Sequence, residues 1–232
     1  METGLSKNGQ DAAFVRGAFA NIARRYVLTN HVLSLGIDIL WRWKTARMVS
    51  DLHPEVVLDL ATGSGDLAAE IKSRCPHAAV LGADFSPPML QEARKRGLQH
   101  LIVADALNLP IADASIDVVT VGFGLRNMGS WSEALHEMSR VLRPGASLFV
   151  LDFSLPENAL MRQLHLFYLR NIMPLIAGAL TGERQAYEYL CKTIELFPSG
   201  DAMCCMICQN GFSEARAIKL SFGIASIYVA VK

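Results

Sequence analysis

Apolar and polar positions divide the chain into two kinds of text. Over residues 12–26 the apolar side chains recur at helical spacing. Phe14, Ala18, Ile22 and Tyr26 fall four apart, Val15 and Phe19 line an adjoining stripe, and Arg16, Arg24 and Arg25 can face water. A second helical stretch spans 38–52, and residues 1–11 are polar enough to form a flexible N-terminus. From residue 55 short apolar runs alternate with amphipathic segments. Strands are predicted over 55–61, 78–85, 101–106, 116–124 and 145–154, and helices over 66–74, 87–96 and 131–142, with proline in the first turn of the second. Each crossover helix must cover the sheet as it returns, so this order predicts an α/β fold, a mostly parallel Rossmann-like sheet with helices on both faces. Residues 157–211 turn helical and loop-rich, too long for a simple crossover, and are predicted to form a cap insertion. Two alternating runs in 212–232, around Ser221, Phe222 and Gly223, predict an antiparallel C-terminal hairpin that brings the sheet to seven strands.

At 232 residues the chain fits one large domain, read as 12–232, with 12–52 as a helical prefix. Its 22 basic and 22 acidic residues cancel, and no Lys/Arg block stands out, so nucleic acid is not an expected partner. Five cysteines, an odd number, with no leader-like segment point to a reducing cytoplasm. Cys205 and Cys208 form a C-x-x-C, but no second pair follows and the segment has a helical pattern, so no metal is expected. The mean hydropathy of +0.26 is high, yet no apolar run is long enough to span a bilayer. A large core, a greasy substrate or contact with a membrane surface would each account for it.

The candidate chemistry sits at the ends of the predicted strands. After the first strand, "LDLATGSGDL" (58–67) places Gly63, Ser64 and Gly65 in a tight turn before a helix, where backbone can approach a ligand closely. The turn lacks the third glycine of a dinucleotide fingerprint and the Lys-Ser/Thr of a phosphate loop. About 20 residues on, Asp84 ends the second strand, where a carboxylate can accept both hydroxyls of a ribose. Asp105 and Ala106 reach the same level on the third strand, suited to reading an adenine. Asp59, on the first strand, is the remaining carboxylate of the group, and each aspartate taken alone could be only a cap or a surface residue. "VVTVGFGLRNM" (118–128) delivers Arg126 and Asn127 to the end of a buried strand.

These features resemble class I S-adenosylmethionine-dependent methyltransferases, which also end their sheet in a hairpin. The resemblance implies S-adenosylmethionine as cofactor and Met89 against its adenine. "YVLTNHVLSLGIDILWR" (26–42), "GFGLRNM" (122–128), "RVLRPGASLFVLDFS" (140–154), "YEYLCKTIELFP" (187–198) and "FGIASIYVAVK" (222–232) are similar to the ubiquinone/menaquinone biosynthesis C-methyltransferases, over residues 14–232. That family methylates a ring carbon of a polyprenylated quinol. The resemblance implies a hydrophobic quinol as substrate, most directly demethylmenaquinol. It also implies Arg126 as a fixed positive charge that stabilises a developing phenolate, Asn127 as the group orienting the ring, and Tyr26 and Asn30 as further contacts to quinol oxygens. The chain departs from the family pattern at Val27, Thr29, Asp38, Arg143, Ala146, Asp152 and Tyr228. Methylation of oxygen or nitrogen on another hydrophobic molecule, and a non-catalytic cofactor-binding scaffold, are the alternatives. Leu164, Phe167, Tyr168, Ile172 and Leu175 are spaced as one apolar face, an ordinary core face or a groove for a prenyl tail that would bring the protein to the inner membrane surface as a peripheral contact. A homodimer is left open.

Overall fold

The computed structural model describes residues 36–173 and 191–232. The predicted helix over 12–26, with Tyr26 and Asn30 nearby, lies outside the described residues, as does the middle of the predicted cap. The first described helix, α1 (Asp38–Ser50), leads to β1 (Val56–Leu60), α2 (Asp66–Arg74), β2 (Ala79–Asp84), α3 (Pro87–Lys95), β3 (His100–Val103) and β4 (Ile116–Gly122). A single 3₁₀ turn, Leu125–Asn127, separates β4 from α4 (Trp131–Val141) and β5 (Leu142–Phe153). Then come α5 (Ala159–Phe167), a π turn over Tyr168–Ile172, α6 (Asp201–Gln209), β6 (Glu214–Leu220) and β7 (Ala225–Val231).

The strands form one seven-stranded sheet in the order β3-β2-β1-β4-β5-β7-β6. Strands β1 to β5 run parallel, and β7 pairs antiparallel with both β5 and β6. The predicted fold class therefore holds. Burial on both faces explains the nearly continuous apolar text of the central strands: alternate residues feed opposite cores. Val57, Val118, Phe149 and Leu151 pack with Trp41, Val49 and Ile71 on one side. Leu58, Val119, Val121 and Val150 pack with Leu135, Met138 and Tyr228 on the other.

Two boundaries differ from the sequence reading in ways that matter for the site. Strand β3 ends at Val103, so Asp105 and Ala106 lie in a turn beyond it, closed by the bond from the Asn108 N–H to the Asp105 carbonyl. Asp105 is itself a turn-forming side chain, its carboxylate accepting from the Leu107 N–H at 3.0 Å. Strand β4 stops at Gly122 because Phe123 takes a left-handed conformation, φ 59°, that no strand can continue.

The order of strands reverses between β1 and β4. Chains leaving these two neighbouring strands diverge to opposite faces, which opens a crevice at their carboxyl ends. The two non-glycine residues that end these strands, Ala61 (φ 52°) and Phe123 (φ 59°), are both left-handed. Such conformations are costly for L-residues and persist only where surrounding structure enforces them. Here the two turns lock together, since a side chain at Gly124 would come within 2.6 Å of the Ala61 Cβ.

Candidate active site

The turn after β1 uses its glycines for different purposes. Gly65 (φ 80°) caps the start of α2, and a Cβ there would lie 2.6 Å from Leu98 and 3.0 Å from Ala93, so this glycine permits close packing of α2 on α3. Gly63 (φ 57°) has nothing within 4 Å of where its Cβ would stand, so the space on that side of the turn is open. Ser64, between them, is buried and hydrogen-bonds to Asp66.

Asp84 comes up beside Gly63. One carboxylate oxygen accepts from the Gly63 N–H at 2.8 Å and the other from the Ser86 N–H at 2.9 Å. Burial pushes its carboxyl above the usual range, and these two N–H donors pull it back. Each oxygen keeps a further lone pair for a ligand hydroxyl. The neighbouring Ser86 hydroxyl is buried and has no hydrogen-bond partner among the described residues. An unsatisfied buried donor is costly unless something else meets it. Met89, at 2% exposure, lies on the first turns of α3 below this loop.

Asp59 is more deeply enclosed than its neighbours. Its two oxygens accept from the Thr62 hydroxyl at 2.6 Å and the Thr120 hydroxyl at 2.5 Å, tying the β1 turn to β4. Burial pushes its carboxyl up to about 6. The two hydroxyls and the positive charge of Arg42 work against that, while Asp84 adds to it. Thr62, Thr120 and Arg42 carried no visible signal of this cluster in the sequence. Thr120 joins the cluster through the β1–β4 register, which pairs it directly with Asp59.

On the other side of the crevice, Arg126 and Asn127 do arrive at the end of β4, in the 3₁₀ turn. The guanidinium is wholly buried. Its Nη1 donates to Asp152 Oδ1 at 2.5 Å and to the Phe123 carbonyl at 2.8 Å, and the group lies 5.2 Å from the Phe153 ring centre. The sequence reading placed a fixed cation at this point; the structure supplies it with a counter-charge. Asp152 also accepts from the backbone N–H of Phe153 at 2.9 Å. Burial pushes its carboxyl up and Arg126 pulls it down. Asn127 is half-buried, with its amide 3.5 Å from the same Phe123 carbonyl. The structure thus brings Asp59, Gly63, Ser64, Gly65, Asp84 and Met89 to one side of the switch point and Arg126 and Asn127 to the other, with Asp105 and Ala106 one turn outward. Asp152 was missed as a site residue. Parallel pairing of Gly122 with Leu151 brings Asp152, the next residue of β5, beside the turn after β4, a pairing visible only in the fold.

An open turn after β1, a carboxylate at the end of β2 and a polar turn after β3 lie in series across the strand ends at a switch point, an arrangement that could hold an adenosine-like ligand. The sequence profile of the ubiE/COQ5 methyltransferase family matches residues 6–232. The chain belongs to that family. It is 43% identical over 216 residues to a demethylmenaquinone methyltransferase of Thermus thermophilus, covering 91% of this chain and 98% of that one. It is also 39% identical to a ubiquinone/menaquinone biosynthesis C-methyltransferase UbiE of Bdellovibrio bacteriovorus, over 97% of this chain and 98% of that one. Among solved structures, a SAM-dependent methyltransferase from Thermotoga maritima shares the fold, with a TM-score of 0.67 at 18% identity over 94% of this chain and 99% of that one. The protein is therefore a methyltransferase with S-adenosylmethionine as its cofactor. The residues fit that group: Gly63 has open space beside it, Asp84 has acceptor capacity to spare and the Ser86 hydroxyl awaits a partner. Among the described residues no group of His, Cys, Asp or Glu is arranged to hold a metal, and Cys205 and Cys208 lie exposed on α6.

Proposed function

We propose that the protein methylates a ring carbon of a polyprenylated quinol, converting demethylmenaquinol to menaquinol, with the related benzoquinol as the nearest alternative acceptor. The observation that carries this reading is the near full-length likeness to the Thermus thermophilus demethylmenaquinone methyltransferase.

When bound, S-adenosylmethionine supplies an electrophilic methyl group on a positively charged sulfur. The chain's own task is to hold the cofactor and present an electron-rich ring carbon in line with that methyl, an alignment worth on the order of 7 kcal/mol or more in the best intramolecular cases. In this proposal Asp84 takes the ribose hydroxyls, and Gly63 and Ser64 line the approach. Met89 packs toward the adenine, and Asp105 and Ala106 border it. Asp59 fixes the β1 turn through Thr62 and Thr120. Asn127 contacts the quinol and orients its ring. Arg126 cannot take the proton, since a guanidinium stays charged. Braced by Asp152 and the Phe123 carbonyl, it holds the Leu125–Asn127 turn in place, and its field favours loss of the quinol's hydroxyl proton to water. Tyr26 and Asn30 are further proposed contacts to the quinol oxygens.

A greasy acceptor also suits the surface of α5. Leu160 (61% exposed), Leu164 (55%) and Phe167 (58%) recur along it at helical spacing, and Ile172 follows on the π turn at 38%. Of the apolar face read in the sequence, Leu164, Phe167 and Ile172 are exposed, Tyr168 is partly buried against the core, and Leu175 lies outside the described residues. We place the prenyl tail and a peripheral contact with the cytoplasmic membrane surface along it. Among the described residues no helix is long and apolar enough to cross a membrane. Mass spectrometry of the quinone pool in a strain lacking this protein tests the proposal. The expected result is accumulation of a quinone lighter by one methyl group; an unchanged pool overturns it and favours O- or N-methylation of another hydrophobic molecule.

A further inference from the structure

Arg42, on α1, has a setting that neither the fold nor the proposed quinol chemistry accounts for. Its side chain is 10% exposed and forms an ion pair with Asp38, one turn earlier on the same helix, which is itself fully buried. Its guanidinium lies 5.1 Å from the ring centre of Phe123, the left-handed residue that ends β4. Its charge is felt by Asp59 on β1, which also feels the charge of Asp84 on β2. Adjacent Trp41 pins this part of the helix in place: its ring packs on Phe123 and Phe153, and its indole N–H donates to Ser221 at 3.0 Å. A guanidinium carries five donor hydrogens, and among the described residues Asp38 is the one hydrogen-bond partner of this side chain. The remaining donors are held at the solvent edge of the helix, above the junction of β1 and β4.

The order of the strands gives those donors a direction. With the turn after β3 at one end and Asp84 on β2 next, a ligand lying across the strand ends must run its far end past the β1 turn toward β4, because the sheet order is β3-β2-β1-β4. For S-adenosylmethionine, with adenine and ribose at the first two stations, the far end is the amino-acid portion. Its carboxylate is the cofactor's one anionic group. We propose that Arg42, held by Asp38, is the residue that receives the carboxylate of the cofactor's amino-acid portion. Asp38 fixes one edge of the planar group and leaves another edge for a forked contact, the arrangement guanidinium and carboxylate favour. Phe123 forms an apolar floor beneath the pair, and water reaches the guanidinium only at its edge. The closed Asp38–Arg42 pair also keeps the buried cation compensated before ligand arrives. Asp38 is one of the positions at which this chain departs from the family pattern, and in this reading that departure serves cofactor binding, not quinol binding.

The inference rests on S-adenosylmethionine as cofactor, and calorimetric binding to the full chain, without turnover, separates the two. The probes are S-adenosylhomocysteine, which keeps the amino-acid carboxylate, and 5′-deoxy-5′-methylthioadenosine, which lacks the whole amino-acid portion. The variants are Arg42→Gln, Arg42→Lys and the double variant Asp38→Asn/Arg42→Gln, the last included because Arg42→Gln alone leaves Asp38 with less compensation. In Arg42→Gln and the double variant, S-adenosylhomocysteine affinity should fall about tenfold to a hundredfold, as expected for loss of a charge-assisted contact. Methylthioadenosine affinity should stay within about twofold, and Arg42→Lys should recover part of the loss. Equal losses for both probes, or no loss for either in the double variant, would overturn the assignment. Failure of the unaltered protein to bind either probe would instead overturn the cofactor site itself.

Discussion

Two buried arginine–aspartate pairs flank the crevice, and they are built differently. Arg126 and Asp152 bridge successive strand ends, both with no exposed side-chain surface, and the guanidinium also serves the Phe123 carbonyl. Arg42 and Asp38 sit one turn apart on a single helix, and water still reaches the edge of the guanidinium. The first pair closes a joint in the scaffold. The second presents a cation at the rim of a ligand site. The same two residue types can thus brace a turn or await an anion, and what differs is exposure: the Arg126 side chain is wholly buried, whereas that of Arg42 keeps an edge in water. Coulomb attraction alone does not distinguish them, since burying either pair costs desolvation that the pairing must offset.

The largest expected difference between the pairs is in stability. Arg126→Ala strands Asp152 in the core and should lower the unfolding free energy by about 3–5 kcal/mol, whereas Arg42→Gln, at a partly wetted site, should cost about 1–2 kcal/mol. Urea denaturation of both variants at pH 7 measures this, and equal losses would dissolve the distinction. A smaller and more specific effect concerns Asp59. With its carboxyl pushed up to about 6 by burial, the folded protein holds that proton more tightly than the unfolded chain. Its contribution is fully present below about pH 4, the unfolded value, and is lost as pH rises through 6, on the order of 3 kcal/mol in all. Asp59→Asn should therefore flatten the stability profile of the ligand-free protein between those limits, by comparison with the unaltered chain titrated in parallel. Arg42 holds the Asp59 carboxyl down, so in Arg42→Gln the same loss should shift to higher pH. An unshifted profile would separate Arg42 from the cofactor side of the crevice.

Periodicity carried most of the architecture. Strand positions followed from apolar runs because a parallel sheet buries both faces, and the hairpin followed from alternation around Ser221–Gly223. What periodicity could not carry was pairing across strands. Arg126 was visible as a charge at the end of a buried strand. Its partner Asp152 lies 26 residues on, and only the β4–β5 register joins them. Gly63 and Gly65 looked alike in the turn, yet one has open space beside it and the other answers to Leu98, a contact no local pattern encodes. Asp105 was read on a strand and lies in the turn after it, because its side chain caps that turn and so competes with extension of the strand. Arg42 drew no attention since it occupies an ordinary position on an ordinary helix; its meaning comes from Phe123 and Asp59, brought to it by the fold.

The central claim, that a ring carbon of a quinol receives the methyl group, is tested most directly by incubating the purified protein with a short-chain demethylmenaquinol and S-adenosylmethionine carrying a ¹³C-labelled methyl. The account predicts a product whose labelled methyl is bonded to ring carbon, seen by NMR as coupling to the quinone ring and retained after reoxidation. A label on oxygen, or no labelled product while the cofactor binds, would contradict it.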